Sequence, residues 1–310
     1  MKQLAVYFCQ MKGIKAGNCE DRVLPLCEFR ANDEVDCMMV GVLDGHGGSA
    51  CVDYIQQQLP ISVKGEFSSS SPIKASLPDI IQQNLRKAFH SADANFLYLA
   101  KRHNDNSGTT AAICVLYAPR EDQPVYKVLL GGLGDSQAIL YRTDPGTGRI
   151  IPVAANPIHR PGLASEKRRI ESMGAEVINV QGIDRVVMRL KHTMIGLAVS
   201  RAFGDLLMKE PRHVVSSVPE FHDVQLDLSL DQFIVIGTDG IFDFVPVAQV
   251  GEILGSAPRT NAGMKVALEQ IIAIARANGS CDDRTLVMVD FPWAQRRTDV
   301  ENIPPFSNVQ

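Results

Sequence analysis

Short apolar runs of strand length recur along this chain, and they constrain its fold more than any other feature. Seven of them stand out, at residues 5–9, 37–43, 111–117, 125–130, 138–141, 233–237 and 286–291. Several are closely spaced and joined by glycine-rich or Asp-Pro-Gly turns, which favours antiparallel pairing over repeated strand–helix–strand units. The sequence therefore predicts antiparallel sheets.

Helical periodicity appears between these runs. Residues 78–99 place apolar side chains on one helical face, and Pro78 suits the first turn of such a helix. Residues 49–59 predict a shorter helix, and residues 260–278 predict another. Strands with interleaved helices indicate a mixed domain of the α+β class.

Composition and charge narrow the classes of function. The 310 residues are 45% hydrophobic and 21% charged, the balance of a soluble globular protein with a sizeable core. A net charge of -4 does not favour nucleic-acid binding, which needs a basic stripe. No apolar run approaches the length of a membrane span. We therefore expect neither a nucleic-acid partner nor a membrane partner.

The cysteines indicate the compartment. There are seven, an odd number, and no two have CxxC spacing, so free thiols in a reducing compartment are expected. The apolar run at the N-terminus is too short for a signal peptide. The expected location is the cytoplasm, with the nucleus as the alternative.

Acidic residues stand beside several of the apolar runs. Asp44 and Asp239 follow two of them, Asp282 precedes the last, and Glu20 and Asp21 come after the first run and a glycine-rich turn. Carboxylates and backbone carbonyls are the ligands that Mg²⁺ and Mn²⁺ prefer. Two such ions held together can activate a shared water and clamp phosphate oxygens. The cysteine and histidine patterns of zinc sites are absent.

Each acidic piece also has an ordinary structural interpretation. An Asp-Gly pair after a strand is usually a turn. Asp282 would then be part of a solvated corner, Glu20 and Asp21 a charged run, and His46 a polar turn residue. Only the combination favours a metal site.

Two other motifs fit poorly. Gly132 and Gly134 resemble the start of a dinucleotide loop, but the third glycine is missing and a strand pattern follows. Cys114 and Arg120 have the spacing of cysteine-based phosphatases. The residues between them include no glycine, and Pro119 lacks the N–H group that a phosphate-binding loop needs. Cys114 is better interpreted as a core residue.

Six segments, in order, resemble motifs of the metal-dependent protein phosphatases of the PPM, or PP2C, family. They are DGHGG from Asp44, SGTTA from Ser107, GDSQA from Gly134, LAVSRAFGD from Leu197, TDGIFD from Thr238 and DDRT from Asp282. The resemblance covers residues 4–291. It implies a four-layer α-β-β-α sandwich, two packed antiparallel sheets flanked by helices, with the metals in a cleft at one end. It also implies a phosphatase domain at 1–292, a flap at about 157–200, and a C-terminal tail at 293–310.

The same resemblance implies an activity and its cofactors. The chain is expected to be a monomeric protein serine/threonine phosphatase that acts on phosphoproteins. Its cofactor would be Mg²⁺ or Mn²⁺, bound as two ions, and a water activated by both would hydrolyse the phosphomonoester.

The resemblance further assigns roles to residues. Asp44 would bridge the ions, the Gly45 carbonyl would bind one, and Asp239 and Asp282 would bind the other. Glu20 and Asp21 would act mainly through metal-bound waters. As the second catalytic residue beside Asp44, His46 would protonate the departing oxygen. The segments 134–136 and 197–205 are interpreted as scaffold.

The residues expected to bind the substrate phosphate depart from the family pattern. Ala16 stands where family members usually carry an arginine that holds the substrate phosphate. The nearest cations are Lys15 and Arg22, which become the candidate phosphate-binding residues. Because lysine lacks the bidentate fork of arginine, weaker phosphate binding is expected.

Two further departures lie near the metals. Ile158 replaces an aspartate associated with a third ion, while Asp243 and Asp239 remain. This predicts two firm ions and a weak or empty third site that retains Asp243. Asp283 stands where asparagine is common. It would either tighten metal binding or pair with Arg284, and the sequence does not choose.

The alternative function is a pseudophosphatase, a binding or regulatory module of the same fold. Ala16 and Ile158 favour it. The complete set of two-metal carboxylates favours activity, because such a set repels itself without cations and costs stability.

Overall fold

The computed structural model describes residues 4–14, 17–32, 35–69, 75–119, 126–189 and 194–293. The candidate phosphate ligand Lys15, its neighbour Ala16 and almost all of the predicted tail lie outside these ranges. Within them the strands are β1 (Ala5–Met11), β2 (Asp21–Asn32), β3 (Val35–His46), β4 (Gly108–Thr109), β5 (Ala111–Pro119), β6 (Lys127–Leu133), β7 (Gln137–Thr143), β8 (Ile150–Ala155), β9 (Glu176–Val180), β10 (Ile183–Arg189), β11 (Met194–Leu197), β12 (Phe203–Gly204), β13 (Glu220–Gln225), β14 (Asp231–Gly237) and β15 (Arg284–Asp290). The helices there are α1 (Ala50–Ser69), α2 (Leu77–His103), α3 (Ala164–Ser172), α4 (Leu206–Lys209), α5 (Asp239–Phe242), α6 (Val247–Ser256) and α7 (Asn261–Ala277).

Two large sheets organise these elements. One has five strands in the order β1-β15-β14-β7-β8, and every pair in it is antiparallel. The other has seven strands, in the order β12-β4-β3-β5-β6-β13 with β2 also paired to β3. The prediction of antiparallel sheets is therefore confirmed.

The four layers are a helical layer, the two sheets and a second helical layer. The hydrophobic core fills the three interfaces between them. Helices α1 and α2 cover one face of the seven-stranded sheet, with Ile55 and Phe89 packed near Met39. The next residue, Val40, points the other way and packs between the two sheets, because side chains alternate along a strand. Helices α6 and α7 cover the outer face of the five-stranded sheet. This is the predicted four-layer α-β-β-α sandwich.

The seven predicted strands are all present, but the elements next to the site extend further than expected. Strand β3 continues through the Asp-Gly-His segment to His46. Strand β2, which starts at Asp21, has twelve residues and was not predicted. Helix α1 passes Pro60 and continues to Ser69, because Val63 and Phe67 extend its buried stripe.

A smaller unit lies within the predicted flap range. Strands β9, β10 and β11 form a three-stranded antiparallel sheet, and α3 packs near it around Ile170. Within the part of the chain that the structure describes, no helix is long and apolar enough to cross a membrane.

A buried carboxylate ties this unit to the main body. Glu166 on α3 accepts from the Arg201 guanidinium at 2.6 Å and from Arg169 at 2.8 Å, and Arg201 also pairs with Glu220 on β13. Burial alone would raise the pKa of Glu166, but these hydrogen bonds and charges lower it to about 2. The ionised form of Glu166 therefore stabilises the folded state.

We expect Glu166→Gln to lower the free energy of unfolding by about 3 kcal/mol near neutral pH, because it leaves two arginines poorly paired. The folded pKa is depressed, so this stabilisation is complete above the ordinary pKa of about 4.5 and is lost as pH falls toward 2. Urea unfolding between pH 7 and pH 3 should show the gap between wild type and variant narrowing in acid. Glu171→Gln, at an exposed helix pair, is the matched control. A gap that is constant with pH would contradict this account.

Candidate active site

The predicted acidic residues meet where the two sheets end. Asp21 lies opposite Asp44 in the β2–β3 register. Asp239 begins α5 directly beyond β14, and Asp282 precedes β15, the strand next to β14. The side chain of Asp21 crosses between the sheets, because its Oδ2 accepts from the hydroxyls of Thr238 at 3.0 Å and Thr285 at 2.7 Å.

The carboxyl groups at this junction repel one another. Burial, followed by the charges of Asp21, Asp239, Asp135 and Asp282, raises the pKa of Asp44 well above its usual range. Burial also raises the pKa of Asp21 to about 7, against the two threonine hydrogen bonds. The pKa of Asp239 rises through burial and the charge of Asp282. The structure thus brings Asp21, Asp44, Asp239 and Asp282 within electrostatic reach.

Asp135 belongs to the same group, although sequence reasoning placed it in the scaffold. It is buried, and burial together with Asp239 raises its pKa to about 7. A signal was available in the sequence, because Asp135 follows the apolar strand β6 as Asp44 follows the apolar part of β3.

These side chains fit divalent cations by their chemistry. All are hard oxygen donors, as Mg²⁺ and Mn²⁺ require. In the described ranges no group of three or more His, Cys, Asp or Glu side chains is gathered, as it stands, closely enough to hold an ion. Burial and the charges of Asp282 and Asp243 raise the pKa of Asp239, and its interaction with the Asp44 side chain opposes that rise. A divalent ion at this junction would relieve the repulsion among these acids.

Glu20 is held in place by backbone contacts. Its Oε1 accepts from the Gly48 N–H at 2.6 Å, and its carbonyl accepts from the Gly45 N–H at 3.1 Å. A Cβ at Gly45 would overlap that carbonyl, so glycine is required for this close approach. Glu20 and the Gly45 backbone therefore lie together beside Asp44.

The structure answers the question that the sequence left open about Asp283. Its two oxygens accept from the backbone N–H groups of Gly13 and Glu20, each at 2.6 Å. Arg284 donates instead to the carbonyls of Ser280 and Lys12. Asp283 is thus a clamp on the loop that leads into Glu20.

His46 contacts a residue that sequence reasoning also treated as scaffold. Its Nε2 lies 2.9 Å and 3.0 Å from the two carboxylate oxygens of Asp205. Burial alone would lower the pKa of His46, but the charge and hydrogen bond of Asp205 raise it. Nothing in the sequence linked these two residues, which are 159 positions apart.

Of the two candidate phosphate ligands, Arg22 is described. Its Nε and Nη2 bind Asp53 at 2.8 Å and 2.7 Å, and its Nη1 donates to the carbonyls of Cys19 and Asp21. These contacts commit Arg22 to the fold, which does not favour a phosphate role.

A cation stands beside the residues considered for a third ion. The Arg160 guanidinium pairs with Asp243, and its Nε lies 3.6 Å from Asp135 Oδ2. Arg160 is two residues beyond Ile158, which carries no ligand atom. The Arg160 side chain therefore supplies a positive charge at this position.

Comparison with known proteins shows the family of the chain. The family model described as protein phosphatase 2C matches residues 5–284. The chain belongs to the protein phosphatase 2C family. The family prediction made from the six motifs is thereby confirmed, and with it the class of protein serine/threonine phosphatases.

Individual relatives within the protein phosphatase 2C family are distant. The chain is 29% identical to "Probable protein phosphatase 2C 59" of Arabidopsis thaliana, over 82% of this chain and 70% of the relative. It is 32% identical to "Protein phosphatase 1F" of Homo sapiens, over 87% of this chain and 53% of the relative. The chain thus spans between about half and 70% of the length of these two relatives.

Solved structures share the protein phosphatase 2C fold. The serine-threonine phosphatase 2C from Toxoplasma gondii superposes with a TM-score of 0.75 at 20% identity, over 93% of this chain and 95% of that one. A C. elegans sex determining protein gives 0.71 at 22% identity, over 93% of this chain and 64% of that one.

The Asp283 clamp predicts a graded effect on stability and metal binding. Asp283→Ala leaves two backbone N–H groups without their acceptor and should cost about 1–3 kcal/mol in unfolding free energy. It should also weaken Mn²⁺ binding, because Glu20 loses its anchor. Asp283→Asn keeps one acceptor oxygen and should cost less. Thermal unfolding and Mn²⁺ titration measure both, and an Asp283→Ala protein with unchanged Mn²⁺ affinity would exclude the clamp.

Proposed function

We propose that this chain is an active phosphatase that hydrolyses phosphoserine and phosphothreonine in proteins, with two divalent ions held by Asp44, Asp239 and Asp282. The observation that carries the proposal is the cluster of buried, mutually repelling carboxyls around Asp44, to which Asp21, Asp239, Asp135 and Asp282 contribute. Buried acids with strongly shifted pKa values are typical of functional sites.

Each residue of the cluster has a defined task. Asp44 lies opposite Asp21 in the β2–β3 register and within electrostatic reach of Asp239, so it would be shared by the two cations. The Gly45 carbonyl, Asp239 and Asp282 would complete the ligands, while Glu20 and Asp21 would orient water beside them. When bound, the ions would activate a water and neutralise the phosphate oxygens.

His46 supplies the proton that the departing oxygen needs. A serine or threonine alkoxide is a poor leaving group, and protonation by a positioned acid accelerates its departure. His46 is partly exposed at the end of β3, next to the metal-binding strand end. No described side chain has to form a covalent phosphoenzyme in this scheme.

The rival function, a pseudophosphatase, rests on Ala16 and Ile158. Against it, the repulsion around Asp44 is unfavourable to the fold unless cations relieve it. Activity remains the better supported function. A monomeric state and a cytoplasmic or nuclear location stay predictions from the sequence.

Hydrolysis of p-nitrophenyl phosphate tests the proposal. We expect turnover with Mn²⁺ or Mg²⁺ that EDTA abolishes. Asp239→Asn should reduce this turnover at least about 100-fold. Losing even a residue that only hydrogen-bonds to a metal ligand lowers metal affinity or activity about 10–100-fold. Cys114→Ser, in a buried strand, is the control and should retain activity. Absence of metal-dependent turnover would favour the pseudophosphatase, and EDTA-resistant turnover lost in Cys114→Ser would indicate cysteine chemistry.

The third ion site gives a separate prediction. Because Arg160 neutralises Asp243 and approaches Asp135, we expect wild-type protein to bind two Mn²⁺ ions firmly. Arg160→Gln removes the competing cation and should allow a weak third ion. Equilibrium dialysis with Mn²⁺ measures the stoichiometry, and Arg189→Gln, at an exposed ion pair, is the matched control. Three firmly bound ions in wild type would contradict the prediction.

A further inference from the structure

A buried ion pair lies behind the turn that carries Asp205. The Nζ of Lys209 lies 2.7 Å and 2.8 Å from the two carboxylate oxygens of Asp93, and it also donates to the Ala202 carbonyl at 2.8 Å. Lys209 is fully buried and Asp93 nearly so. The Gly204 N–H donates to the same carboxylate at 2.8 Å. The Asp93–Lys209 pair therefore binds the backbone at both ends of the segment 202–204, which directly precedes Asp205.

That segment has an unusual backbone. Gly204 has φ +72° and Asp205 has φ +56°, so two successive residues are in the left-handed region. A residue with a side chain rarely adopts this conformation unless its surroundings enforce it. Here Asp93 binds Gly204, and the Asp205 N–H donates to the Ser107 carbonyl at 3.0 Å.

The consequence of this backbone is the direction of the Asp205 carboxylate. It faces His46, and both of its oxygens are within hydrogen-bond distance of Nε2. Gly108 lies directly beside the contact, paired with His46 in one register and with Gly204 in another. A Cβ at Gly108 would overlap both His46 Nε2 and Asp205 Oδ2. Three chain segments are thus shaped around one imidazole–carboxylate contact.

We propose that Asp205 is a positioning residue for His46, and that the buried Asp93–Lys209 pair maintains the turn that aims it. The proposal rests on the proposed function, because it concerns the acid of that reaction. With Nε2 held by Asp205, Nδ1 is the ring nitrogen left to serve the substrate. In this step His46 starts with a proton on both ring nitrogens. As the water oxygen forms its bond to phosphorus and the ester P–O bond breaks, the Nδ1 proton moves to the departing serine or threonine oxygen, which leaves a neutral ring with its proton on Nε2. Asp205 remains a carboxylate throughout.

The surroundings of the contact are also acidic on the side of the metals. Asp135 and Glu20 add their charges at His46. Asp205 alone of these acids makes a direct hydrogen bond to the ring. Orientation of the imidazole is therefore the specific contribution of Asp205.

A leaving-group comparison separates positioning from a structural role. A phosphothreonine peptide needs a proton on its leaving oxygen, whereas p-nitrophenol leaves readily without one. We expect Asp205→Asn to lower kcat on the peptide at least tenfold more than kcat on p-nitrophenyl phosphate. His46→Gln should lower kcat on the peptide more than kcat on p-nitrophenyl phosphate in the same way. Adding Asp205→Asn to His46→Gln should change this ratio little. Gly108→Ala, which forces the two side chains apart, should reproduce the effect if Asp205→Asn folds poorly.

The remote ion pair has its own matched control. The double variant Asp93→Asn with Lys209→Met should lower kcat on the peptide at least threefold more than kcat on p-nitrophenyl phosphate. Arg142→Met with Asp231→Asn removes another ion pair with a fully buried aspartate, between β7 and β14 and away from His46. It should destabilise the protein but reduce activity on both substrates equally.

A readout that does not depend on turnover is the ¹⁵N NMR signal of the His46 ring in metal-free protein. Wild type and the Arg142 control should keep Nε2 protonated, while Asp205→Asn should show exchange between the two nitrogens. If His46→Gln splits the substrates but Asp205→Asn reduces both equally and leaves the ring signal unchanged, positioning by Asp205 is overturned while the proposed function stands. If wild type shows no metal-dependent turnover, the proposed function fails and this inference fails with it.

Discussion

The repulsion among buried carboxylates is the constraint on which the rest of this structure depends. Burial and mutual charge raise the pKa values of Asp21, Asp44, Asp135 and Asp239 together. A fold keeps such a group only if other interactions hold the backbone in place, or if cations relieve it. The two sheets supply the first condition, and the oxygen-only ligand set suits the second.

The interactions that hold the backbone lie one step behind the carboxylates. Thr238, directly after β14, and Thr285, on β15 of the same sheet, donate to Asp21 at the start of a strand of the other sheet. Asp283 clamps the loop before Glu20 through backbone N–H groups. These contacts connect the sheets at the cleft, so the position of the acids follows from the packing of the whole sandwich.

Arg160 illustrates how a local change alters such a site without abolishing it. Its guanidinium pairs with Asp243 and approaches Asp135. It thereby supplies positive charge beside Asp135 and Asp243, and that charge opposes the rise in the pKa of Asp135 and of Asp239. The departure that the sequence shows at Ile158 is thus accompanied by a cation, Arg160, two residues further along the chain.

From the sequence alone, strand periodicity predicted the antiparallel sheets. The resemblance of six motifs predicted the sandwich, the family and the candidate ligands Asp44, Asp239 and Asp282, because these motifs are local patterns. Sequence reasoning missed strand β2 and left the task of Asp283 open. It also took Asp135 and Asp205 for scaffold. Only the tertiary structure placed Asp205 on His46, Asp93 on Lys209 and Arg160 between two acids. Those contacts join residues far apart in the chain, and their distances depend on how two sheets and their helices pack, which no local pattern encodes.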